Sequence, residues 1–413
     1  MAKKEVTNAL KKEEWVQRFN LVGEAKLNDF TYRIDAKSEK SDWVYNSINL
    51  GINCGEKCGT VFCELMGGYG AERDNVIYVH GKDEKGNDDF SNSYTIDWED
   101  RFDESILSDI GGLSFTTVGL EKTDKDKTFY KNFLTPYDTI AYINEHLEDG
   151  MVVNVSGNLR YTVYNGTVQC RKEINSIALS SATPDKYRAT FTQTMLLDQD
   201  SCTKDSLDKD KSALLVDAYI LEKFKEFNGW DLTDNGKIKG GQFVPLKRTF
   251  EHPVDIATDK GKENLKKKLD KLFKVKKGTV TQITFEGEFV ETGATVQATL
   301  DDVPDDIKEL IEMGIYTEEE ALAKCSENGS RERKMIILRP LIKMVGEEGE
   351  KKPVIQRVDE KFDEEDLIMD CLSPKESDED EEEYEDNVVE TEDTTEDTSD
   401  DDSEDPDAWL NDL

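Results

Sequence analysis

The stretch from residue 151 to residue 177 spaces cations, rings and a turn in a way that could hold a polyanion. It reads M-V-V-N-V-S-G-N-L-R-Y-T-V-Y-N-G-T-V-Q-C-R-K-E-I-N-S-I. Asn165-Gly166 separates two runs that alternate apolar and polar residues, which is a strong signal for a β-hairpin with a two-residue turn. Counting outward from this turn pairs Tyr164 with Thr167 and Arg160 with Arg171.

The hairpin has two chemically different faces, because successive side chains of a strand point to opposite sides. One face is apolar and suits a core: Tyr161, Val163, Val168 and Cys170. The other is polar and basic: Arg160, Thr162, Tyr164, Gln169 and Arg171. Cations can follow phosphates and a ring can stack on a base. We therefore predict that Arg160, Tyr164, Arg171 and the adjacent Lys172 bind nucleic acid, with ordinary solvent exposure of strand cations as the alternative.

Two further groups of cations flank strand-like segments later in the chain. Lys274, Lys276 and Lys277 lead into a second hairpin-like segment, and Arg331, Arg333, Lys334 and Arg339 accompany the last apolar strands. Of these, we predict that Lys276, Lys277, Arg333 and Lys334 also contact nucleic acid. The alternative is the same, because exposed strands commonly carry Lys and Arg.

A metal site and a catalytic site find less support. Cys54, Cys58, Cys63 and His80 could supply four zinc ligands, but the spacing C-x3-C-x4-C is unusual, and Cys63 alternates with apolar residues as a core residue would. The chain has three His, and it contains neither H-E-x-x-H nor G-x-x-x-x-G-K-[ST]. We predict a protein that is not an enzyme and that uses no cofactor.

The elements that must position these residues are mostly β-strands. Short runs rich in Val, Ile, Tyr and Phe, bounded by Gly, Asn and Asp, extend from Trp15 to about Ser181. One helix interrupts them in T-P-Y-D-T-I-A-Y-I-N-E-H-L-E-D-G, where Ile140, Ile143 and Leu147 recur at spacings of three and four.

The same order of elements recurs in the second half of the chain. A Lys-rich helix with Leu265, Leu269 and Leu272 on one side precedes K-K-G-T-V-T-Q-I-T-F-E-G-E-F, much as the first helix precedes the hairpin. The recurrence predicts two copies of one β-domain. We expect a polar leader at 1–14, a first domain at 15–181, a second domain with a helical insertion at 187–353, and a tail at 354–413.

Charge is distributed very unevenly along the 413 residues. The formal net charge is −38, and residues 376–413 hold 21 acidic residues and no Lys or Arg, which leaves −17 for residues 1–375. This composition predicts a disordered tail, and the acidic balance argues against indiscriminate adhesion to nucleic acid or membranes. Seven scattered Cys and a charged start without an apolar run predict a cytoplasmic protein with neither a disulfide framework nor a signal peptide. We expect no membrane span.

The hairpin and the tail together resemble the single-stranded-DNA-binding proteins. In that family a strand of the type V-x-V-x-G-x-L leads into a basic, aromatic hairpin and returns to x-I-x-x-I, as residues 152–177 do. Their acidic tails end in a few apolar residues, as D-P-D-A-W-L-N-D-L does here, although the Pro-Phe ending of bacterial members is absent. The resemblance implies two tandem OB-like Greek-key barrels, and the tandem layout is more similar to a large phage protein.

The resemblance implies non-enzymatic, sequence-independent binding and protection of single-stranded DNA in replication, recombination or repair, in the host cytoplasm if the protein is viral. Trp409, Leu410 and Leu413 would then anchor replication or recombination proteins to the tail, whereas a solubilising tail would not need them. Three other functions stay open. The chain could be an acidic interaction or virion protein that does not bind DNA, a DNA mimic that inhibits an enzyme, or a nuclease-like metal enzyme.

Overall fold

The computed structural model describes residues 9–233, 236–238, 240–292, 332–346 and 350–375, and single positions at 308, 311 and 317. Most of the predicted helical insertion near residues 304–325 lies outside the described residues. The acidic tail from residue 376 also lies outside them. The described residues fall into two compact units. The first lies within Val16–Gln193 and Phe285–Leu341, and the second within Met1–Trp15, Thr194–Thr284 and Ile342–Leu413.

The described part of the chain is mainly β, as the sequence predicts. Its first ten strands are β1 (Gln17–Lys26), β2 (Tyr32–Lys37), β3 (Trp43–Asn53), β4 (Thr60–Gly70), β5 (Val76–Lys82), β6 (Asp88–Asp97), β7 (Thr116–Lys122), β8 (Thr128–Phe133), β9 (Val152–Tyr164) and β10 (Thr167–Leu179). The later strands are β11 (Arg188–Leu197), β12 (Leu207–Asp208), β13 (Ala213–Phe224), β14 (Glu226–Phe227), β15 (Trp230–Asp231), β16 (Gln242–Pro253), β17 (Thr279–Thr292), β18 (Glu332–Pro340), β19 (Ile342–Val345), β20 (Lys352–Ile355) and β21 (Arg357–Asp363).

Helices are short in the described residues. The α-helices are α1 (Glu104–Leu107), α2 (Pro136–His146) and α3 (Asp259–Lys268), and a π-helical turn over Leu269–Phe273 continues α3. Single 3-10 turns cover Trp98–Phe102, Gly112–Ser114, Pro184–Lys186, Lys204–Ser206, Glu364–Leu367 and Asp370–Leu372.

Five strands of the first unit close into a barrel. Strand β1 pairs antiparallel with β3 and with β9, β3 pairs with β4, and β9 pairs with β10. A parallel pairing of β10 with β4, at Glu173 and Glu64, completes the circle. With α2 between the third and fourth barrel strands, this is the strand order of an OB-like Greek-key barrel. The predicted fold class is confirmed for this unit.

Alternation of side chains along β3 and β4 builds the barrel core. Ile48, Leu50 and Ile52 on β3 are at most 2% exposed, and Val61 and Cys63 on β4 are similarly buried. Residues between them on the same strands point out of the barrel, because strand side chains alternate. The period-2 pattern of the sequence thereby fixes which residues can form a surface.

The predicted hairpin is present with the predicted register. Tyr164 pairs with Thr167, and the ladder continues to Arg160 opposite Arg171. Asn165 and Gly166 both have positive φ, at 48° and 71°, which is the conformation that a type I′ turn requires of its two central residues.

Helix α2 also forms where the sequence predicts it. Thr135 is its N-cap and accepts a hydrogen bond from the backbone N–H of Asp138, and Pro136 occupies a first-turn position where no N–H is needed. Ile140, Ile143 and Leu147 are at most 5% exposed. The helix thus buries the apolar face that its spacing predicted.

A long insertion separates β4 from α2 in the first unit. Strands β5 and β6 form a two-stranded antiparallel sheet, and the insertion has a small core of its own around Val79, Ile96 and Ile110. Strand β7 returns to the barrel by pairing parallel with β10. The insertion is therefore anchored to the barrel at one of its edges.

The chain order of the barrel elements recurs later in the sequence, across strands that belong to both units. Strands β11, β13 and β16 precede α3, and β17 and β18 follow it, as β1, β3 and β4 precede α2, and β9 and β10 follow it. Strands β13 and β16 pair antiparallel along their whole length. Leu265, Leu269 and Leu272 are buried, as predicted. A second barrel built from these elements stays a prediction.

The N-terminal segment contributes to the core of the second unit. Leu10 is 2% exposed and packs with Leu196, Leu221, Val280 and Leu367. The described part of the predicted polar leader is therefore an integral part of this unit. That residues 15–181 and 187–353 form two separate domains stays a prediction.

Candidate functional site

The outer face of the first barrel unites most of the residues that could bind a single strand. Directly paired residues share a face of a sheet, so the register assigns this face strand by strand. We call it the outer face, and it comprises Trp43, Tyr45, Ser47 and Asn49 on β3, Glu64 and Met66 on β4, Arg160 and Tyr164 on β9, and Arg171 and Glu173 on β10.

Two rings are stacked at one end of the outer face. The ring centroids of Trp43 and Tyr45 lie 4.8 Å apart with an angle of 16° between the ring planes, and both side chains are half-buried. They face glycines across the ladder, Trp43 opposite Gly70 and Tyr45 opposite Gly68. No side chain of β4 can therefore cover them at these two positions.

Gly68 has no room for a side chain. A Cβ built there would lie 2.0 Å from the carbonyl oxygen of Val44 and 2.8 Å from the Cβ of Tyr45. Covering a cross-strand glycine with a ring is also a common way to stabilise a sheet, so the pair has a structural role in addition to any binding role. The two rings form a flat aromatic surface at the start of β3.

A charge cluster of four side chains occupies the middle of the outer face. Arg160 Nε lies 3.0 Å from a carboxylate oxygen of Glu173, and Arg171 Nε forms an ion pair with Glu64. Arg160 and Arg171 are directly opposite each other on β9 and β10. Like charges in that position repel, and the two carboxylates offset this repulsion.

Tyr164 marks the other end of the outer face, at the tip of the β9–β10 hairpin. Its side chain is 64% exposed. Since a strand rises about 3.3 Å per residue, Tyr45 and Trp43, opposite Gly68 and Gly70, lie about 13 Å and about 20 Å along β4 from Glu64. The hairpin tip lies in the opposite direction, about 13 Å along β10 from Arg171 by the same rise. The face is elongated, with rings at both ends and cations between them.

The structure assigns Lys172 to the opposite side of the hairpin. It is 8% exposed, its ammonium lies 2.9 Å from a carboxylate oxygen of Glu291, and the same nitrogen lies 4.6 Å from the ring centroid of Phe289. A buried ammonium held in this way cannot reach a phosphate on the outer face. We therefore do not include Lys172 in the interface.

The other predicted cations do not join the outer face in the described structure. Arg333 is exposed on β18, with its Nε 3.7 Å from Glu291, and Lys334 on the same strand is half-buried. Lys276 and Lys277 are exposed in the second unit, where Lys276 Nζ lies 3.0 Å from Glu360. These four residues stay predictions as nucleic-acid contacts.

The three candidate cysteine ligands are buried among core residues. Cys54, Cys58 and Cys63 are at most 3% exposed, and burial raises the pKa of each thiol, that of Cys63 to about 12. A raised pKa disfavours the thiolate, which is the form that binds zinc. The described residues contain no group of three His, Cys, Asp or Glu side chains arranged for a metal ion.

His80 is engaged elsewhere, in the insertion. Its Nε2 lies 2.7 Å from Asp88 and its Nδ1 lies 3.0 Å from the hydroxyl of Ser114. The Ser114 hydroxyl also accepts a hydrogen bond from the backbone N–H of His80. Ser114 Oγ therefore contacts both the ring and the backbone N–H of His80. These contacts, with Asp88, hold the His80 side chain within the insertion.

The sequence reading missed the stacked rings, although the signal was present. W-V-Y at 43–45 starts a strand, and residues two apart on a strand share a face. The glycines opposite them, in M-G-G-Y-G at 66–70, could be matched to the rings only once the register was known. Trp409, Leu410 and Leu413 lie outside the described residues, so the structure does not describe the predicted anchor.

Comparison with known proteins adds little. No family model matches the chain, and no curated protein sequence matches it. Among solved structures, a mutant of the single-stranded DNA binding protein from Thermus aquaticus is similar with a TM-score of 0.26 and 10% identity, covering 67% of this chain and 88% of that chain. A TM-score this low establishes neither a shared fold nor a shared function. No helix among the described residues has the length and apolar character needed to cross a membrane.

Proposed function

We propose that the outer face of the first barrel binds single-stranded DNA without sequence preference and without catalysis. The observation that carries the proposal is the alignment of the stacked Trp43–Tyr45 pair, the two arginines and Tyr164 on one face of one closed barrel. OB-folds bind oligonucleotides on the face of their second and third strands and on the loops that join strands 1 and 2 and strands 4 and 5. Here the second and third barrel strands are β3 and β4, and the Asn165-Gly166 turn joins the fourth and fifth, β9 and β10.

Each part of the face has a distinct task in this proposal. The rings of Trp43, Tyr45 and Tyr164 stack on unpaired bases, and each stacked base contributes about 1–3 kcal/mol to the binding free energy. Arg160 and Arg171 donate to phosphates between them. Every base offers a π-face, so recognition through stacking tolerates any sequence.

The wider role follows from this chemistry and stays part of the proposal. The protein coats and protects single strands during replication, recombination or repair, in the cytoplasm of a host cell if it is a phage protein. Trp409, Leu410 and Leu413 recruit partner proteins to the acidic tail. The sequence pattern alone supports this role of the three tail residues.

One other function is favoured by a specific observation. A net charge of −38 for the chain, and −17 without residues 376–413, suits a protein that meets only other proteins, as a structural component or as a mimic of DNA. Such a protein would keep the stacked rings solely to cover Gly68 and Gly70.

Binding of a fluorescent oligo-dT of about 30 nucleotides, long enough for several sites of the size seen for OB-folds, separates the two functions. Fluorescence anisotropy of the unaltered protein is compared with a Trp43→Ala/Tyr45→Ala variant and with an Arg160→Ala/Arg171→Ala variant. Tyr78→Ala is the matched control, because Tyr78 is 83% exposed on the separate β5–β6 hairpin.

The ring variant should bind at least about fivefold more weakly, since each lost stacking interaction is worth about 1–3 kcal/mol. The arginine variant should lower the slope of log affinity against log salt by about 1.4, since each neutralised phosphate of a single strand contributes about 0.7. Tyr78→Ala should bind as the unaltered protein does. Absence of binding by the unaltered protein at low salt would refute the proposal and favour the protein-interaction function.

A further inference from the structure

The charge cluster on the outer face pairs every arginine with a glutamate. Arg160 and Arg171 are 57% and 50% exposed, and their partners Glu173 and Glu64 are 42% and 34% exposed. All four side chains can therefore meet a ligand that lies on this face. The cluster as a whole carries no net charge, which is unusual for a surface whose ligand is a polyanion.

The two carboxylates have a clear effect on a passing phosphate. Each repels it while the neighbouring guanidinium attracts it, so a phosphate that contacts an arginine gains less Coulomb energy than it would beside the arginines alone. The pairs themselves add little stability to the fold, because exposed ion pairs are typically worth about 0–1 kcal/mol. Their position on the binding face thus has a larger consequence for ligand choice than for folding.

Stacking is unaffected by these carboxylates. At about 3.3 Å per residue, Tyr45 and Trp43 lie about 13 Å and about 20 Å along β4 from Glu64, and both distances exceed the Debye length of about 8 Å at physiological ionic strength. A ligand with unpaired bases gains binding free energy from the rings, whereas a duplex or a bare polyphosphate offers only phosphates.

We propose that Glu64 and Glu173 make the outer face select unpaired bases over phosphate charge alone. The inference rests on the proposed function and identifies the property of the ligand that this same site recognises. The carboxylates repel any polyanion, and they repel a duplex more, because a duplex carries about twice the charge per unit length of one strand. Only the single strand also gains binding free energy by stacking on the rings. Discrimination of this kind arises from a repulsive contact with the wrong ligand.

The test replaces the carboxylates with isosteric amides. Glu64→Gln/Glu173→Gln keeps an oxygen that can accept from each arginine Nε and removes two negative charges. Glu263→Gln is the matched control, because Glu263 forms an exposed pair with Lys267 at 2.6 Å on α3 in the second unit. Anisotropy is measured for labelled oligo-dT and for a duplex of equal length, and inorganic polyphosphate is added as a competitor.

The double variant should bind the duplex roughly tenfold more tightly at low salt, because each removed charge is worth about threefold at separations of 6–8 Å in water. Polyphosphate should compete better by a similar factor. Affinity for oligo-dT should rise less, because a single strand brings about half as many phosphates per unit length to the two carboxylates. The preference for the single strand therefore falls. The differences between the double variant and the unaltered protein should vanish toward 1 M salt, where the Debye length is about 3 Å.

Three outcomes bear on the inference. A reduced preference for the single strand in the double variant, with Glu263→Gln unchanged, supports it. An unchanged preference, with oligo-dT still bound by every variant, overturns it and leaves the proposed function intact. Failure of every variant to bind oligo-dT at low salt overturns the proposed function and this inference with it.

Discussion

At the scale of single residues, one position along a strand decides between a surface cation and a buried one. Arg171 and Lys172 are adjacent in the sequence, yet Arg171 is exposed on the outer face and Lys172 is buried beside Glu291. The sequence reading grouped both as nucleic-acid contacts. The alternation of strand side chains already assigned Lys172 to the apolar side, where a cation needs a buried partner that the sequence does not reveal.

The buried pair makes a strong prediction for stability. Lys172→Met removes the closer cation from the Glu291 carboxylate, which is 5% exposed and keeps Arg333 Nε at 3.7 Å. Breaking a buried pair costs about 3–5 kcal/mol, and we expect the free energy of unfolding, measured with denaturant, to fall by about the lower of these values because Arg333 remains. Adding Glu291→Gln should restore most of the loss, because the buried charge is removed.

The control for the buried pair is Lys267→Met, which removes an exposed partner of Glu263. It should change the free energy of unfolding by less than about 1 kcal/mol. A similarly small effect of Lys172→Met would contradict the buried ion pair. Where Lys172→Met remains folded, its affinity for oligo-dT should be unchanged, because Lys172 does not reach the outer face.

At the scale of elements, local patterns predicted the structure well and distant pairings escaped prediction. The β9–β10 register and helix α2 were predicted because both depend on neighbouring residues: a turn dipeptide, a cap and an apolar period. The parallel contact of β10 with β4 at Glu173 and Glu64 joins residues 109 positions apart. No local pattern encodes it, and it adds Glu64 to the three residues of the charge cluster that the β9–β10 register brings together.

Helix α2 offers a test at this scale. Thr135 is 4% exposed, and its hydroxyl donates to a carboxylate oxygen of Asp138 at 2.6 Å while accepting from the Asp138 backbone N–H. Thr135→Ala should lower the free energy of unfolding by about 1–2 kcal/mol, as loss of an N-cap does. Thr135→Ser should recover most of that loss, because it keeps the hydroxyl. Equal losses for both variants would mean that the methyl group, not the cap, stabilises the helix.

At the scale of the whole molecule, the distribution of charge opposes the proposed ligand. The chain has a formal net charge of −38, and residues 376–413 account for 21 of the negative charges. A polyanion approaching such a molecule is repelled over distances of about a Debye length, so the repulsion is strong at low salt and weak at high salt. The outer face must therefore bind through short-range stacking and direct arginine contacts.

Removing the tail tests this balance. A chain ending at Lys375 has a net charge of −17, and we expect it to bind oligo-dT more tightly than the full chain, mainly through faster association, because electrostatic repulsion chiefly affects the encounter rate. The gain should shrink as salt rises, since screening removes the same repulsion. Stopped-flow association rates at two salt concentrations measure it. Equal rates for both chains at low salt would mean that the tail charges never come within screening distance of the bound strand, so that the tail acts only on partners.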